Sequence, residues 1–284
     1  MKKKNRLTTI VLFILLAAGL SLLLYPTFSD HWNALHQSRA ISDYAEKVAD
    51  MDVELYDKIW TEALEYNSTL DGEKLGFALT DTQKSEYNSL LDISGQGIMG
   101  YVEIPSIGVS LPIYHGTDET VLQVAVGHIE WSSLPVGGEG SHCVLSGHRA
   151  LPSAKLFTDL DDLVDGDVFI LRVLDEVLTY EVDQILIVEP NETSALEIVD
   201  GEDLCTLMTC TPYAVNTHRL LVRGHRIENI EQSGRVRATA DAVQIEPLII
   251  ASVIAVPLFV AMLIILLSPR NTSKNKGGRD RDVF

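Results

Sequence analysis

The chain has 284 residues, with 22 Lys and Arg against 40 Asp and Glu and a formal net charge of −18 at pH 7. That length allows one or two domains. So acidic a balance excludes nucleic acid as a partner, since phosphate binding draws on a surplus of cations.

The charge is unevenly spread. The two ends hold 9 of the basic residues and 2 of the acidic ones, leaving 13 basic and 38 acidic residues between them. Such a middle suits a soluble face held above a membrane, or a basic, amine-bearing substrate. Residues 1–6 carry Lys2, Lys3, Lys4 and Arg6, and an apolar run beginning at Leu7 fills most of residues 7–28. About 20 apolar residues cross a bilayer as a helix, and no small-residue cleavage site follows, so this segment reads as an uncleaved anchor. A second apolar run, 247–268, leads into a tail, 269–284, with Arg270, Lys274, Lys276, Arg279 and Arg281. Pro257 inside that run is tolerable in a membrane helix. Basic flanks stay on the cytoplasmic side. Two spans at the cell membrane are therefore expected, with both termini cytoplasmic and the middle of the chain outside.

Within 29–97, Tyr44, Val48, Met51, Leu55 and Ile59 recur at three and four, which predicts one helical stripe from about Asp30 to Asn67. The stretch from Ser68 to Gly97 is polar and turn-rich, a linker or flap with a short helical piece at Glu86–Leu91. After Gly97 the texture changes to short strands: Tyr101–Ile104, Val109–Tyr114, His142–Leu145, Asp167–Val173, Leu178–Val188, Cys205–Cys210 and Leu220–Arg223. Leu178–Asp183 alternates as a half-buried strand does. Seven or eight strands with only short helices between them predict a mainly β fold over 98–230, a closed or nearly closed antiparallel barrel. Residues 231–246 read as a polar tether to the second apolar run.

Cys143, Cys205 and Cys210 are an odd number of cysteines for an exported domain, so at least one thiol has no partner within the chain. Cys205 and Cys210 lie five apart on one strand and face opposite sides, so they do not pair. Cys143 and Cys205 are mid-strand among Leu, Val and Thr, where an inert thiol is the default. Cys210 ends its strand before Thr211-Pro212 and is the candidate nucleophile. A thiol with the ordinary pKa of about 8.5 is only slightly ionised at neutral pH, and nearby positive charge favours the reactive thiolate. Arg219 heads the next strand, where a guanidinium favours the thiolate and can hold an oxyanion. It cannot serve as a base.

The proton shuttle must then be a histidine. His31 and His36 lie near the membrane, His218 and His225 flank the arginine strand, and His115 is a further candidate. His148 follows Gly147 at a strand end and stands ahead of His128 and His142, which the residues alone leave open. His142, Cys143, His148 and Cys210 are conceivable zinc ligands but lack CxxC or HxxxH spacing. The acidic loops lack the EF-hand spacing for calcium. No cofactor is expected.

Thr206-Leu207-Met208-Thr209-Cys210 resembles the TLxTC signature of the sortases, membrane-anchored cysteine transpeptidases of Gram-positive surfaces. Gly147-His148-Arg149 is similar to the family's histidine segment, and Arg219 within Asn216–Gly224 to its arginine. The likeness runs from about Met99 to Arg226 and includes Met99–Pro105, Leu111–Thr117, Ser133–Gly138 and Leu151–Leu160. The phrases Cys210-Thr211-Pro212-Tyr213 and Asn216-Thr217-His218-Arg219, with a second C-terminal span, look like class C, the pilin-polymerising sortases. The resemblance implies an eight-stranded sortase barrel with His148, Cys210 and Arg219 in the catalytic roles, and it raises His148 above the other histidines. It further implies cleavage of an LPxTG-like sorting signal through a thioester acyl-enzyme and transfer to an amine. The substrates would be pilins or other surface proteins with C-terminal sorting signals.

Two features depart from class C. The lid of that class bears an Asp-Pro-aromatic motif, whereas Phe77-Ala78-Leu79-Thr80-Asp81-Thr82-Gln83 has none, so Asp81 is assigned no role. Trp131 stands where class C members more often carry a small or polar residue. The rival readings are a housekeeping-type sortase that joins surface proteins to peptidoglycan and, outside the enzymes, a non-catalytic surface assembly module.

Overall fold

The computed structural model describes residues 2–70 and 79–229. The expected tether at 231–246, second span at 247–268 and basic tail at 269–284 lie outside the described residues, as do Phe77 and Ala78.

Helix α1 runs unbroken from Lys2 to Ala49, with Pro26 inside it. The part from Ile10 onward is long and apolar enough to cross a membrane, by length and composition. The predicted single stripe to Asn67 is two helices. Asp52 caps a new helix, α2 (Val53–Thr69), by accepting the Leu55 N–H at 2.8 Å. The three-and-four spacing shifts at the break: Val48, Met51 and Ile59 pack on the core as expected, but Tyr56 takes the place of Leu55, which is exposed. Helix α3 (Asp81–Ser89) starts earlier than the expected helical piece, since Thr80 and Gln83 form a reciprocal capping box.

Eight strands close into a barrel: β1 (Ile98–Ile104), β2 (Val109–His115), β3 (Val126–His128), β4 (Ser141–Ser146), β5 (Val168–Val173), β6 (Glu176–Val188), β7 (Asp203–Thr211) and β8 (His218–Ile227). Their order around the barrel is β1-β2-β3-β4-β7-β8-β6-β5. A short helix, α4 (Glu119–Leu122), lies between β2 and β3. The expected all-antiparallel pairing is corrected at two places: β2 with β3, and β4 with β7, are parallel. The second correction matters for function. A parallel pair needs a long crossover, here containing the β5–β6 hairpin, and it sets the C-terminal ends of β4 and β7 side by side. An antiparallel β4–β7 pair would have placed them at opposite ends of the barrel.

Two apolar layers sandwich this sheet. The interior holds Met99, Ile113, Leu145, Phe169, Leu207 and Val222. Outside, Ile129, Val144, Leu196 and Leu221 form a second cluster over β4, β7, β8 and β6. The N-terminal helices are seated by buried hydrogen bonds as well as by apolar contact. The Tyr44 hydroxyl donates to the Met99 carbonyl and accepts from the Leu174 N–H, each at 2.8 Å. Asn67 bonds both the N–H and the carbonyl of Leu134, at 2.7 and 3.1 Å.

Candidate active site

Successive side chains of a strand face opposite sides. On β7, Cys205 and Leu207 point into the interior, while Met208 packs on the outer cluster. Cys210 falls in the outer series. It is a free, part-exposed thiol, whereas Cys143 and Cys205 are free and buried. Cys210 lies opposite Arg219 on β8, and Arg219 lies opposite Val188 on β6, so the three form a row across one outer face. The Arg219 Nη1 donates to the carbonyls of His218 at 3.1 Å and Asn216 at 3.5 Å, which holds the guanidinium over the β7–β8 loop.

The parallel pairing carries the segment before His148 to the same end of the barrel. Ser146 lies opposite Met208. The Gly147 N–H then donates to the Met208 carbonyl at 3.0 Å, and the Thr209 hydroxyl donates to the Gly147 carbonyl at 2.8 Å. The backbone is thus stitched to β7 up to the residue before His148, at the end of β7 that carries Cys210. Gly147 cannot carry a side chain here: a Cβ would lie 2.6 Å from the Phe157 ring. Phe157 in turn donates its N–H to the His148 carbonyl at 3.2 Å and closes the loop.

Three contacts around the row were not read from the sequence. Glu119, at the start of α4, puts Oε2 3.6 Å from the His148 Nε2. Its carboxyl is held below the ordinary range, first by the Gln123 amide and then by His148. Arg149 pairs with Asp161 and lays its guanidinium over the Tyr213 ring at 5.6 Å, tying the histidine loop to the cysteine loop. Its Nε is buried without a partner among the described residues. Of six non-glycine residues with positive φ among the described residues, four sit in these two loops: Ala150, Leu156, Ala214 and Asn216. Such strain collects where geometry is over-determined. Beside Arg219, a pocket of about 240 Å³ is lined by Ile129, Trp131, Val188, Leu196 and Met208 among others. Trp131, unexplained from sequence, is a wall of that pocket.

His128 and His142 have their ring nitrogens taken up by other groups. The His128 ring is buried, with Nδ1 accepting from the Tyr87 hydroxyl at 2.9 Å and Nε2 donating to the Ser133 carbonyl at 2.8 Å. His142 is committed to the Glu197 carbonyl at 2.8 Å and the Thr206 hydroxyl at 2.7 Å. The four residues weighed for zinc do not converge, because Cys143 lies in the interior and His142 on the outer face.

A closed barrel with a thiol, a guanidinium and a histidine segment at one rim has the parts of a cysteine acyl-transfer enzyme. A family model described as the sortase domain matches residues 102–227. Sortase C1 of Streptococcus agalactiae is 52% identical with a TM-score of 0.66, covering 68% of this chain and 100% of that one. Sortase C of Clostridium perfringens, solved with the C-terminal cell wall sorting motif, is 43% identical with a TM-score of 0.59, over 68% and 100% of the two chains. Sortase D of Bacillus subtilis strain 168 is 33% identical over 131 residues, 45% of this chain. The match spans 63% of that relative's length. The chain belongs to the sortase family of cysteine transpeptidases, and its structural relatives are class C sortases.

Proposed function

We propose that this protein is a membrane-anchored transpeptidase that joins pilins through a thioester. The Cys210 thiolate attacks the scissile carbonyl of an LPxTG-like sorting signal, the C–N bond breaks, and His148 gives its proton to the leaving amine. The acyl group then rests on Sγ. A pilin lysine amine attacks the thioester, its proton passes to His148, and the thiolate leaves. Arg219 donates to the oxyanion in both tetrahedral steps. The observation that carries this reading is the outward row Cys210, Arg219 and Val188, in register beside an apolar pocket and the stitched Gly147–His148 backbone.

The pocket suits the apolar side chains of a sorting signal, and the Clostridium perfringens relative was solved with the C-terminal cell wall sorting motif. Helix α1 supplies the anchor. Holding enzyme and tethered substrate at one surface raises their effective concentration. Mass spectrometry of the protein mixed with a sorting-signal peptide tests the reading: an acyl adduct on the Cys210 peptide is expected, and cleavage by a Cys210→Ala protein would overturn it. Product analysis separates pilin joining from peptidoglycan anchoring, since the first consumes a lysine side chain and the second a peptidoglycan amine.

A further inference from the structure

Helix α1 turns a polar stripe toward the two segments that flank His148. Asp30, Asn33 and Gln37 stand at i, i+3 and i+7, one face of a helix. Each reaches barrel backbone. Asp30 Oδ1 accepts the Lys155 N–H, Asn33 Nδ2 donates to the Ser153 carbonyl, and Gln37 Nε2 donates to the Val124 carbonyl, all at 2.7 Å. Tyr44, seven residues further along the same face, is locked by its two buried hydrogen bonds and fixes the rotation of the helix about its axis.

The three acceptors and donors on the barrel side are not scattered. Ser153 and Lys155 belong to the loop that closes on the histidine through the Phe157 N–H and the His148 carbonyl. Val124 follows α4, whose Glu119 faces the His148 ring. Both neighbours of the histidine are therefore hung on one face of one helix. Seating the helix is already done by Tyr44, through its buried hydrogen bonds, and by the apolar contact of Val48. Bonds from side chains to loop backbone do something else: they set where the loops stand.

We propose that Asp30, Asn33 and Gln37 are positioning residues for His148, so that the helix carrying the apolar anchor sets the geometry of proton transfer at Cys210. The inference rests on the catalytic role proposed for His148. These bonds lie at or near the surface, so losing them loosens the histidine segment without opening the barrel core. A displacement of about 1 Å at a reacting group can cost on the order of 10²-fold in rate.

The test uses the full-length chain in detergent, a fluorogenic sorting-signal peptide, and hydrogen exchange. The triple variant Asp30→Ala/Asn33→Ala/Gln37→Ala should lower kcat about tenfold with KM within about twofold. Exchange should rise in residues 150–157 but not in β7 or β8. Asp30→Asn, which keeps an acceptor for the Lys155 N–H, should behave as wild type. An unchanged kcat in the triple variant would overturn the proposal, and so would a fall in kcat accompanied by faster exchange throughout the barrel. If the triple variant does not fold, Asn33→Ala alone decides, with a reduced kcat expected and an unchanged one fatal. His148→Ala is measured in the same assay. Full activity there would remove the catalytic reading of the histidine, a result separate from the loop's exchange.

Discussion

Inside the barrel, Cys143 lies opposite Cys205 across β4 and β7, with His128 close by. At the rim of the same two strands, Cys210 lies opposite Arg219 and the Gly147–His148 backbone runs alongside. Both neighbourhoods hold thiol and imidazole. Burial raises the Cys205 thiol well above its ordinary range, and the hydrogen bond with Cys143 adds to this. Burial opposes ionisation of Cys143 too, but the neighbouring Cys205 thiol and the nearby His128 outweigh it and hold that thiol low. The more ionisable interior thiol is nonetheless closed to substrate, and both ring nitrogens of His128 are engaged. What distinguishes the rim is place. Five residues along β7 change the face, and the end of the strand opens it to solvent.

Replacing the thiols breaks the comparison most sharply. Cys210→Ala should lower peptide cleavage on the order of 10³-fold or more, while Cys205→Ala retains turnover and loses only melting temperature. Steady-state cleavage and thermal unfolding of the two proteins give the answer. Next in size is Arg219→Lys, which keeps the charge and loses the planar fork. A fall of about 10²-fold in kcat/KM is expected, and a wild-type value would show that charge alone suffices. The two histidines should then dissociate. His128→Ala leaves the Ser133 carbonyl without its buried imidazole donor and takes one partner from the Tyr87 hydroxyl, and should cost about 2 kcal/mol of stability with kcat intact. His148→Ala should abolish turnover with an unchanged melting temperature.

The place of Cys210 near a strand end, facing away from Cys205, was legible because the strand reaches Thr211-Pro212 there and side chains alternate along it. The barrel was legible from its alternating strands. Its β4–β7 pairing was not, since nothing local in Ser141–Ser146 or Asp203–Thr211 distinguishes a parallel neighbour from an antiparallel one. Where the segment before His148 lies relative to Cys210 depends on that pairing, which no residue of either strand announces. Val126–His128 is too short to show an alternation, so β3 escaped notice. Asp52 fell inside the stretch read as one helical stripe, although it caps a second helix. Glu119, Tyr213 and the Asp30–Gln37 stripe act across long sequence separations, where no spacing rule reaches.

The smallest effect expected concerns acid. His142 sits under the Ser194–Leu196 turn on the outer face, and burial holds its pKa below the ordinary 6.5. Arg223 deepens the depression, while the Glu197 carbonyl and Asp183 oppose it. The sign follows from linkage: the unfolded chain binds this proton more readily, so the contribution is intact above 6.5 and is lost as pH falls through that value toward the folded pKa. His115 is lowered in the same direction by burial and remains in both proteins, so its share cancels. Between about pH 7.5 and about pH 5.5, the wild type should therefore lose more melting temperature than His142→Gln. Leu196 ends that turn and lines the pocket beside Arg219. The same pH drop should raise the peptide KM of the wild type more than that of the variant, and equal changes in the two proteins would detach the pocket wall from His142.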